Sequence, residues 1–479
     1  MLAIPSLCTF LAGLLAAALV ADCAATRPIN ARVDKLDTSS GYRYTTREQF
    51  SDDSSDTILI LAFSGGGTRA AAFSYGVLEQ LKRTEVTVSG RRTTMLEQID
   101  IVTGASGGSF TALAFALYGD KLFDIYEAAL LKRDVQSELI KRVLSPGNWG
   151  NLAAQLYDEI LFHDATFADL AKKPGPWAMV TATDISTGSR LAFVQPEFDV
   201  ICSDVGSVPL SRAAVASAAV PFALSPVTIN NYGGTCGFRE PRWARAMDDP
   251  NNRARPAGRA LQMLREMRSF ENGAERPYIH LVDGRVADNL GVRGILGALE
   301  QLELSAGYQR ALRINTVCRI AVLVVGSLSD PETDWDRHES PPNGVQILVK
   351  ATAVPIHRYS YDAVELLEDT PARWKMARDL RATGAFANAG NSSLDRAAAN
   401  VPNVDIFAID VSFDAIDDAN ERHYLKDQPT SFVLPPEAVD RLRAAAGNAL
   451  RASPDFQRLV YEMSHSKPPE SVTPPIEVR

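Results

Sequence analysis

The sequence predicts an α/β fold in which a largely parallel central sheet lies between two layers of helices. Residues 57–63 (TILILAF) form a continuous apolar run, as expected of a strand covered on both faces, and a glycine-rich turn then leads to a helix over 69–82. The pattern recurs with a short strand over 99–102, a turn over 104–108 and a helix over 109–118. Strands that alternate with helices are typical of a three-layer α/β/α sandwich.

The same criteria assign the remaining elements along the chain. Strands are predicted over 177–182, 278–282, 320–325 and 405–411, and helices over 120–171, 255–270, 291–303, 344–367, 371–383 and 435–463. The strand 405–411 is expected to extend the sheet rather than to begin a new domain.

Composition excludes some classes of partner. The chain has 479 residues, 46% of them hydrophobic and 22% charged, which is ordinary for a globular protein. Its net charge of -9 argues against nucleic acid, because phosphate binding requires a basic face. The same charge gives no general attraction to anionic lipid, so any contact with a membrane is expected to be local or covalent.

The first 25 residues (1–25) are predicted to be an export leader. No charged residue precedes Asp22, and residues 10–20 are mostly leucine and alanine, although the usual basic start is absent. An uncleaved anchor of about 20 residues is one alternative. Cleavage before Cys23 would create a lipoprotein, although Asp22 is atypical there, and ordinary cleavage nearby would release an unmodified chain. The predicted location is the cell envelope, with or without a lipid anchor, or otherwise secreted or periplasmic.

The remaining chain divides by composition. Residues 26–56 are polar and are predicted to form a tether, and 57–330 to form the core domain. Residues 331–466 are predicted to be an extension of helices and one strand packed on that core. The proline-rich segment 467–479 is predicted to be a disordered tail.

Three cysteines follow the leader. Cys202 and Cys236 lie in polar, loop-like segments, and export would favour a disulfide between them, with two free thiols as the alternative. Cys318 lies in an apolar run and is predicted to be a buried thiol. No cysteine and histidine cluster has the spacing of metal ligands, so no metal is predicted.

A first motif is centred on Ser106. Gly104, Ala105, Ser106, Gly107 and Gly108 match the G-x-S-x-G pattern, between a predicted strand and a predicted helix. A sharp strand-to-helix turn exposes a serine Oγ, and small neighbours avoid collisions there. The start of the following helix also supplies N–H groups and a positive dipole end. The motif therefore indicates a nucleophilic serine.

A second motif follows the strand 57–63. Gly65, Gly66 and Gly67 allow the backbone to direct N–H groups into a concave anion site, and Arg69 is expected to steady this loop or to meet an anionic head group. The alternative is a dinucleotide fingerprint with Glu85 as its acidic residue. Against it, Glu85 does not end a second strand and the serine motif would remain unexplained.

A third motif is Asp283-Gly284, directly after the predicted strand 278–282. A carboxylate at the carboxyl end of a strand lies where α/β sheets hold their sites, although an ordinary Asp-Gly turn is the simpler interpretation of this pair alone.

Together the three motifs resemble the patatin-like phospholipases, which combine a G-G-G-x-R loop, a G-x-S-x-G motif and an Asp-Gly pair in this order. Residues 183–188, 210–221 and 288–291 are also similar to that family, and the resemblance covers about 57–330. A departure is Arg285, because the family usually has glycine or alanine after Asp-Gly.

The resemblance implies a patatin-like fold and a Ser–Asp dyad. Ser106 would be the nucleophile, Asp283 its base, and the loop 65–67 the oxyanion hole. The substrate would be a phospholipid or another acyl lipid at a membrane surface, and no cofactor is implied. Arg285 would place a large cation beside the base, where it is expected to narrow the pocket or to alter the base, and the loop 237–257 is either an insertion over the site or a surface loop.

Two alternatives remain open from the sequence. A Ser-His-Asp esterase would use a histidine after Asp283, from His357, His423 or His465, whereas His280 is expected to be a packed strand residue. A lipid-binding envelope protein without activity would keep the fold alone.

Overall fold

In a computed structural model of the chain, the structure describes residues 30–46, 55–143, 149–220, 224–241, 244–245, 258–312, 314–330, 333–383 and 400–465. The predicted leader with Cys23 and the predicted tail lie outside these residues, as does most of the loop 237–257. Those three assignments stay predictions.

The strands are β1 (Ala31–Arg32), β2 (Thr57–Phe63), β3 (Glu85–Val88), β4 (Arg91–Thr94), β5 (Ile99–Ala105), β6 (Trp177–Asp184), β7 (Arg190–Ala192), β8 (Ser203–Asp204), β9 (Val227–Asn230), β10 (Tyr278–Val282), β11 (Arg319–Gly326) and β12 (Asp405–Ser412). The helices are α1 (Gly67–Arg83), α2 (Gly107–Tyr118), α3 (Leu122–Tyr126), α4 (Val135–Val143), α5 (Trp149–Tyr157), α6 (Phe167–Ala171), α7 (Gln195–Val200), α8 (Leu210–Ser217), α9 (Gly258–Glu271), α10 (Arg285–Asp288), α11 (Arg293–Leu304), α12 (Ala306–Ala311), α13 (Gly344–Ala382), α14 (Ala419–Lys426), α15 (Pro436–Ala452) and α16 (Pro454–His465).

The central sheet is mixed but mostly parallel. Its strand order is β12-β11-β2-β5-β6-β10-β9, with β7 also paired to β6. The five strands from β12 to β6 are mutually parallel, whereas β7, β9 and β10 are antiparallel to their neighbours. The parallel part confirms the prediction made from the uninterrupted apolar runs.

Both faces of this sheet are buried. Alternate side chains point to opposite faces of a strand, so Leu61 and Leu323 join one hydrophobic cluster while Ile60 and Val322 join another. The first cluster includes side chains of α1, α2, α8 and α15, and the second includes side chains of α11 and α13. Helices therefore cover both faces, which confirms the α/β/α layering.

The described part of the predicted tether is not a tether. Strand β1 pairs with β8, and Tyr42 is 1% exposed, with its hydroxyl bonded to both the carbonyl and the N–H of Ala178. Arg43 forms a buried ion pair with Asp199 at 2.7 Å. The prediction was wrong for 30–46 because polar composition indicates irregular backbone and does not tell whether that backbone packs on the core.

Helix α13 also differs from its prediction. Two helices, 344–367 and 371–383, were predicted, and the second begins at Pro371, which lacks the N–H that an interior turn requires. The structure has one helix through this proline. Buried Leu367 and Trp374 on either side hold both turns against the core, and Thr370 donates its hydroxyl proton to the Leu366 carbonyl.

Other corrections concern short segments at the edges of the fold. The hairpin β3–β4 and the strands β7 and β9 were not predicted, since each has only three or four residues. Cys318 is exposed rather than buried. It immediately precedes β11, so it lies just outside the buried part of the apolar run.

Candidate active site

The carboxyl ends of β5 and β10 meet at one edge of β6. Thr181 of β6 pairs with both β5 and β7, and Thr183 pairs with both β7 and β10. Because a strand has two edges, β5 and β10 share the edge opposite β7. Strand β5 runs parallel to β6 and β10 antiparallel, so the residues that follow them, Ser106 and Asp283, approach each other end to end.

Ser106 occupies a strained turn between β5 and α2. Its backbone has φ 48° and ψ −123°, and the residue is 2% exposed. A positive φ in a residue with a side chain is typical of a functional turn. A Cβ atom on Gly107 would lie 2.0 Å from the Gly67 carbonyl oxygen, so glycine is required there for the two helix starts to approach. The predicted serine turn is therefore present in the backbone.

The side chains of Ser106 and Asp283 form a buried hydrogen bond. Ser106 Oγ donates to Asp283 Oδ2 at 3.1 Å, while the N–H of Arg285 donates to Asp283 Oδ1 at 2.9 Å. Burial raises the pKa of Asp283, and the Arg285 charge and these hydrogen bonds partly offset that rise. A carboxylate held this way can accept the serine proton.

One of the three glycines predicted to form the oxyanion hole, Gly65, has its N–H bonded to another residue. The N–H of Gly65 donates to the Asn289 carbonyl at 2.8 Å, so this amide is engaged and does not serve an oxyanion hole. Gly66 and Gly67 have φ 147° and 61°, conformations that favour glycine. Within the described residues we find no acceptor for the amides of Gly66 and Gly67. These two amides are the candidate donors.

Arg69 is buried and supports the loop. Its exposed fraction is 0%, and its guanidinium donates to the carbonyls of Ser327 and Gln428 and to Thr430 Oγ1. Burial lowers its pKa to about 9. Because Arg69 is fully buried and three oxygens of other segments accept hydrogen bonds from it, its position fits the predicted role of steadying the loop. The N–H of Thr68 also donates to the Ser431 carbonyl at 2.9 Å.

Arg285 lies across the glycine loop. A Cβ atom placed on Gly65 would lie 2.1 Å from Arg285 Cγ and 3.0 Å from Ser106 Cβ, so all three residues share one small space. Arg285 Nε also donates to Asn289 Oδ1 at 3.3 Å. The departure from the family pattern therefore places a large side chain directly beside the candidate nucleophile.

The other predicted glycines lie in the same region. Gly104 ends β5 with Ala105, Gly108 is in the first turn of α2, and the N–H of Gly284 donates to the Ser217 carbonyl at 2.8 Å.

Ser217 and Asn289 had no predicted role, but both support the site. Ser217 Oγ accepts the N–H of Ser106 at 2.8 Å, and the carbonyl of Asn289 holds Gly65. Ser217 lies in the stretch 210–221 and Asn289 in the stretch 288–291, both of which resemble the family. This resemblance was the sequence signal that could have indicated a role for them.

Two histidines of the triad alternative are engaged elsewhere. His423 pairs with Asp427 at 3.3 Å, and His465 Nδ1 bonds with the Tyr461 carbonyl at 2.8 Å. His357 is half-buried in α13, and no hydrogen bond from it to Ser106 or Asp283 is found in the described residues. His280 is exposed and bonds with Thr228, so its prediction as a packed residue was wrong.

The dinucleotide alternative has no support from the fold. Glu85 begins β3, which pairs with β4 alone in a two-stranded sheet, and its carboxylate pairs with Arg92.

The described residues contain no group of three or more histidine, cysteine, aspartate or glutamate side chains placed to hold a metal ion. Among the helices of those residues, none has the length and hydropathy of a membrane span.

Comparison with known proteins gives one family. Residues 61–294 match the family model described as patatin-like phospholipase. Among solved structures, human GIVD cytosolic phospholipase A2 is 11% identical, with a TM-score of 0.43 and coverage of 91% of this chain and 66% of its own. VipD from Legionella pneumophila is 12% identical, with a TM-score of 0.28 and coverage of 93% and 73% respectively.

This chain thus spans just under two thirds of the human enzyme's length. Comparison with curated protein sequences gives no match. The match over 61–294 includes the glycine loop, the serine turn and the Asp-Gly pair. Residues 61–294 therefore form a domain of the patatin-like phospholipase family.

Proposed function

We propose that this protein is a serine lipid acyl hydrolase that cleaves carboxylic esters of phospholipids or related lipids, with Ser106 as nucleophile and Asp283 as base. The observation that carries the proposal is the buried 3.1 Å hydrogen bond between these two side chains, which lie 177 residues apart in the chain. The family of the domain supports a lipid substrate, and the acid–base geometry supports the serine mechanism.

Acylation would proceed in two proton transfers, one to Asp283 and one from it, and the exchange of one ester bond for another. Asp283 accepts the Ser106 hydroxyl proton as Oγ attacks the ester carbonyl carbon. The amides of Gly66 and Gly67 and the start of α2 stabilise the oxyanion, at roughly 3–4 kcal/mol for each well-placed donor. Collapse of the intermediate expels the alcohol, which takes the proton from Asp283, and leaves the acyl group on Ser106.

Deacylation would use the same residues in reverse. Asp283, again ionised, accepts a proton from water as the water oxygen attacks the acyl carbonyl. The fatty acid leaves as Ser106 Oγ recovers the proton. Because the aspartate serves both steps, no histidine is required in this scheme.

The proposal is tested first with purified protein and a short p-nitrophenyl ester, then with a panel of phospholipids. Hydrolysis in both assays supports a lipid acyl hydrolase. A folded protein that hydrolyses neither substrate would favour the inactive lipid-binding alternative.

We predict that Arg285→Ala shifts the acid limb of the pH profile of kcat/KM to higher pH. The charge of Arg285 lowers the pKa of Asp283, so its loss allows burial to raise that pKa further. The variant keeps the backbone N–H that donates to Asp283. Arg285→Lys, which keeps the charge, is the matched control and should restore the limb towards its wild-type position. An unchanged limb in Arg285→Ala would show that the guanidinium does not act on the carboxylate.

We also propose export, as the leader prediction implies, and the structure offers one supporting feature. Cys202 and Cys236 form a disulfide with Cα atoms 5.5 Å apart, and such bonds persist in oxidising compartments. Intact-mass analysis of protein from its native compartment, before and after reduction and alkylation, should show one disulfide and a free Cys318. Free thiols at both positions would contradict export. The mass of the mature amino terminus then decides whether Cys23 carries lipid.

A further inference from the structure

Arg285 is a cation held directly beside the candidate nucleophile. Its Cγ and Cδ lie 2.1 Å and 2.5 Å from the position of a Cβ atom on Gly65, and Ser106 Cβ lies 3.0 Å from the same point. The aliphatic stem of Arg285 therefore packs on Gly65, next to Ser106. Its guanidinium begins one bond beyond that stem, so its position is tied to the site.

The guanidinium of Arg285 has donors that the protein does not use. Its Nε donates to Asn289 Oδ1 at 3.3 Å, and the side chain is half-buried. In the part of the chain that the structure describes, we find no acceptor for its Nη1 or Nη2. The Nη groups of an arginine form a planar fork that matches two oxygens of one anion. Arg285 can therefore bind an anion without losing a hydrogen bond within the protein.

A small cleft next to Arg285 contains a second cation. Arg285 and Arg293 both line it, together with Tyr359 and Ser360 of α13. Arg293 is exposed, and its guanidinium lies 5.6 Å from the centre of the Tyr359 ring. The cleft thus presents two arginines within reach of a molecule that contacts Ser106.

The acidic side chain of this cleft is directed to backbone groups. Asp288 lines the cleft but is only 3% exposed, and its two carboxylate oxygens each accept a backbone N–H, from Val292 and from Arg293, at 3.1 Å. Farther along the chain, Asp330 pairs with Lys350 at 3.1 Å, and neither Asp330 nor Asp362 lines the cleft. The acidic residues of this region therefore leave the Nη groups of Arg285 available.

The charge of Arg285 also acts on its cationic neighbours. Burial lowers the pKa of Arg69 to about 9, and the charge of Arg285 adds to this shift. Burial likewise lowers the pKa of His357, where Asp330 opposes the shift and Arg285 adds to it. An anion bound at Arg285 would relieve the repulsion between the two arginines.

We propose that Arg285 is a specificity-determining residue that binds the phosphate of the substrate lipid and so selects phosphoglycerides over uncharged acylglycerols. The inference rests on the proposed function and names its substrate class. In a phosphoglyceride a short glyceryl linkage joins the ester to the phosphate, so a lipid with its ester carbonyl at Ser106 brings its phosphate to the adjacent side chain. Arg285 donates both Nη groups to phosphate oxygens, and Arg293 adds to the positive field of the cleft.

The test compares two lipids on each variant. Dihexanoylphosphatidylglycerol carries one phosphodiester anion and dihexanoylglycerol carries none, and both are used as dissolved monomers so that no lipid interface contributes. The measured quantity is the ratio of their kcat/KM values at a pH above the acid limb of every variant. Both lipids require Ser106 and Asp283, so a change in the base or in the folded fraction cancels in this ratio.

Arg285→Gln keeps part of the stem and removes the charge. It should lower the ratio about tenfold or more, mainly through the KM of the phospholipid, since hydrogen bonds to a charged group contribute on this order. Arg285→Lys keeps the charge without the fork and should retain part of the preference. An unchanged ratio in Arg285→Gln overturns the inference. So do equal gains on both lipids, because Arg285 would then only narrow the pocket.

Arg451→Gln is the matched control and should keep the wild-type ratio. It removes the same charge from an exposed residue of α15, which packs on the opposite face of the sheet from α11 and α13. A ratio that falls equally in Arg451→Gln would assign the effect to the net charge of the protein and overturn the role of Arg285.

Two further measurements separate the other outcomes. Inorganic phosphate is added to the assay of the short p-nitrophenyl ester at constant ionic strength. Inhibition that depends on Arg285, together with an unchanged lipid ratio, would make free phosphate the ligand and overturn the inference. A wild type that hydrolyses neither lipid contradicts the proposed function instead. Binding of dihexanoylphosphatidylglycerol to Ser106→Ala then tests the phosphate site alone: its loss in Ser106→Ala/Arg285→Gln supports the site, and its persistence overturns it.

Discussion

Ser106→Ala is expected to lower ester hydrolysis by roughly 10⁴-fold or more, because it removes the atom that forms the acyl-enzyme. Folding should change little. The substitution deletes one hydrogen bond to Asp283, at about 1 kcal/mol, and alanine at φ 48° bears about the same backbone strain as serine. The expected result is an inactive, folded protein, as measured by initial rates and by thermal unfolding.

Ser74→Ala provides a matched control. Ser74 is a buried serine of α1, 1% exposed, and no residue within the described ranges forms a hydrogen bond with its Oγ. The control therefore removes the same atom from an equally buried position and should keep wild-type activity. A fluorophosphonate probe should label wild type and Ser74→Ala but not Ser106→Ala.

Two results would move the nucleophile to another residue. One is activity near the wild-type level in Ser106→Ala, and the other is probe labelling that persists in this variant. Peptide mapping of the labelled protein would then identify the residue that reacts.

The serine turn was predictable because its determinants are local. A strand, small residues at 104–108 and a helix follow each other within about twenty residues, and the structure has them in that order. The antiparallel direction of β10 was not predictable. An apolar run of five residues fits a strand of either direction. Strand β5 pairs with β6 only as far as Thr181, and β10 pairs antiparallel with the next part of the same edge, at Thr183 and Asp184, which brings Asp283 to Ser106.

The supports of the site were beyond prediction for a different reason. Arg69 is held by Gln428 and Thr430, and the Ser431 carbonyl accepts the N–H of Thr68, across some 360 residues of chain. Hydrogen bonds to backbone carbonyls leave no residue pattern, because every residue has a carbonyl. The segment 427–434 therefore carries no sequence signal of its contact with the glycine loop.

Asp283→Asn is expected to reduce activity almost as far as Ser106→Ala, because base and nucleophile act as a unit. Asparagine can still occupy the space beside Ser106, but it cannot take the hydroxyl proton. Initial rates with the short p-nitrophenyl ester measure the loss. His280→Ala, His357→Ala and His423→Ala should each keep substantial activity. A histidine variant that folds but loses several orders of magnitude would favour the triad.

The stability of Asp283→Asn should be at least that of wild type at neutral pH. Burial raises the pKa of Asp283 above the 3.8 of a free carboxyl, so the folded chain retains this proton at pH values where the unfolded chain has lost it. The free energy of unfolding therefore falls as pH rises between the unfolded and the folded pKa, and this loss persists above both. A neutral side chain removes the penalty, which thermal unfolding at several pH values can measure.

The pH profile of wild type tests the same carboxylate in its catalytic role. Only ionised Asp283 accepts the Ser106 proton, so kcat/KM should rise with pH through the raised pKa, and the acid limb should lie above the range of an exposed carboxyl. Asp100 needs a control, because burial raises its pKa to about 7. Asp100 lies near the start of β5, at the opposite end of that strand from Ser106. Its carboxylate accepts a hydrogen bond from the N–H of Leu59. Asp100→Asn should keep both activity and the acid limb, and a limb that disappears in this variant would assign it to Asp100 instead of the proposed base.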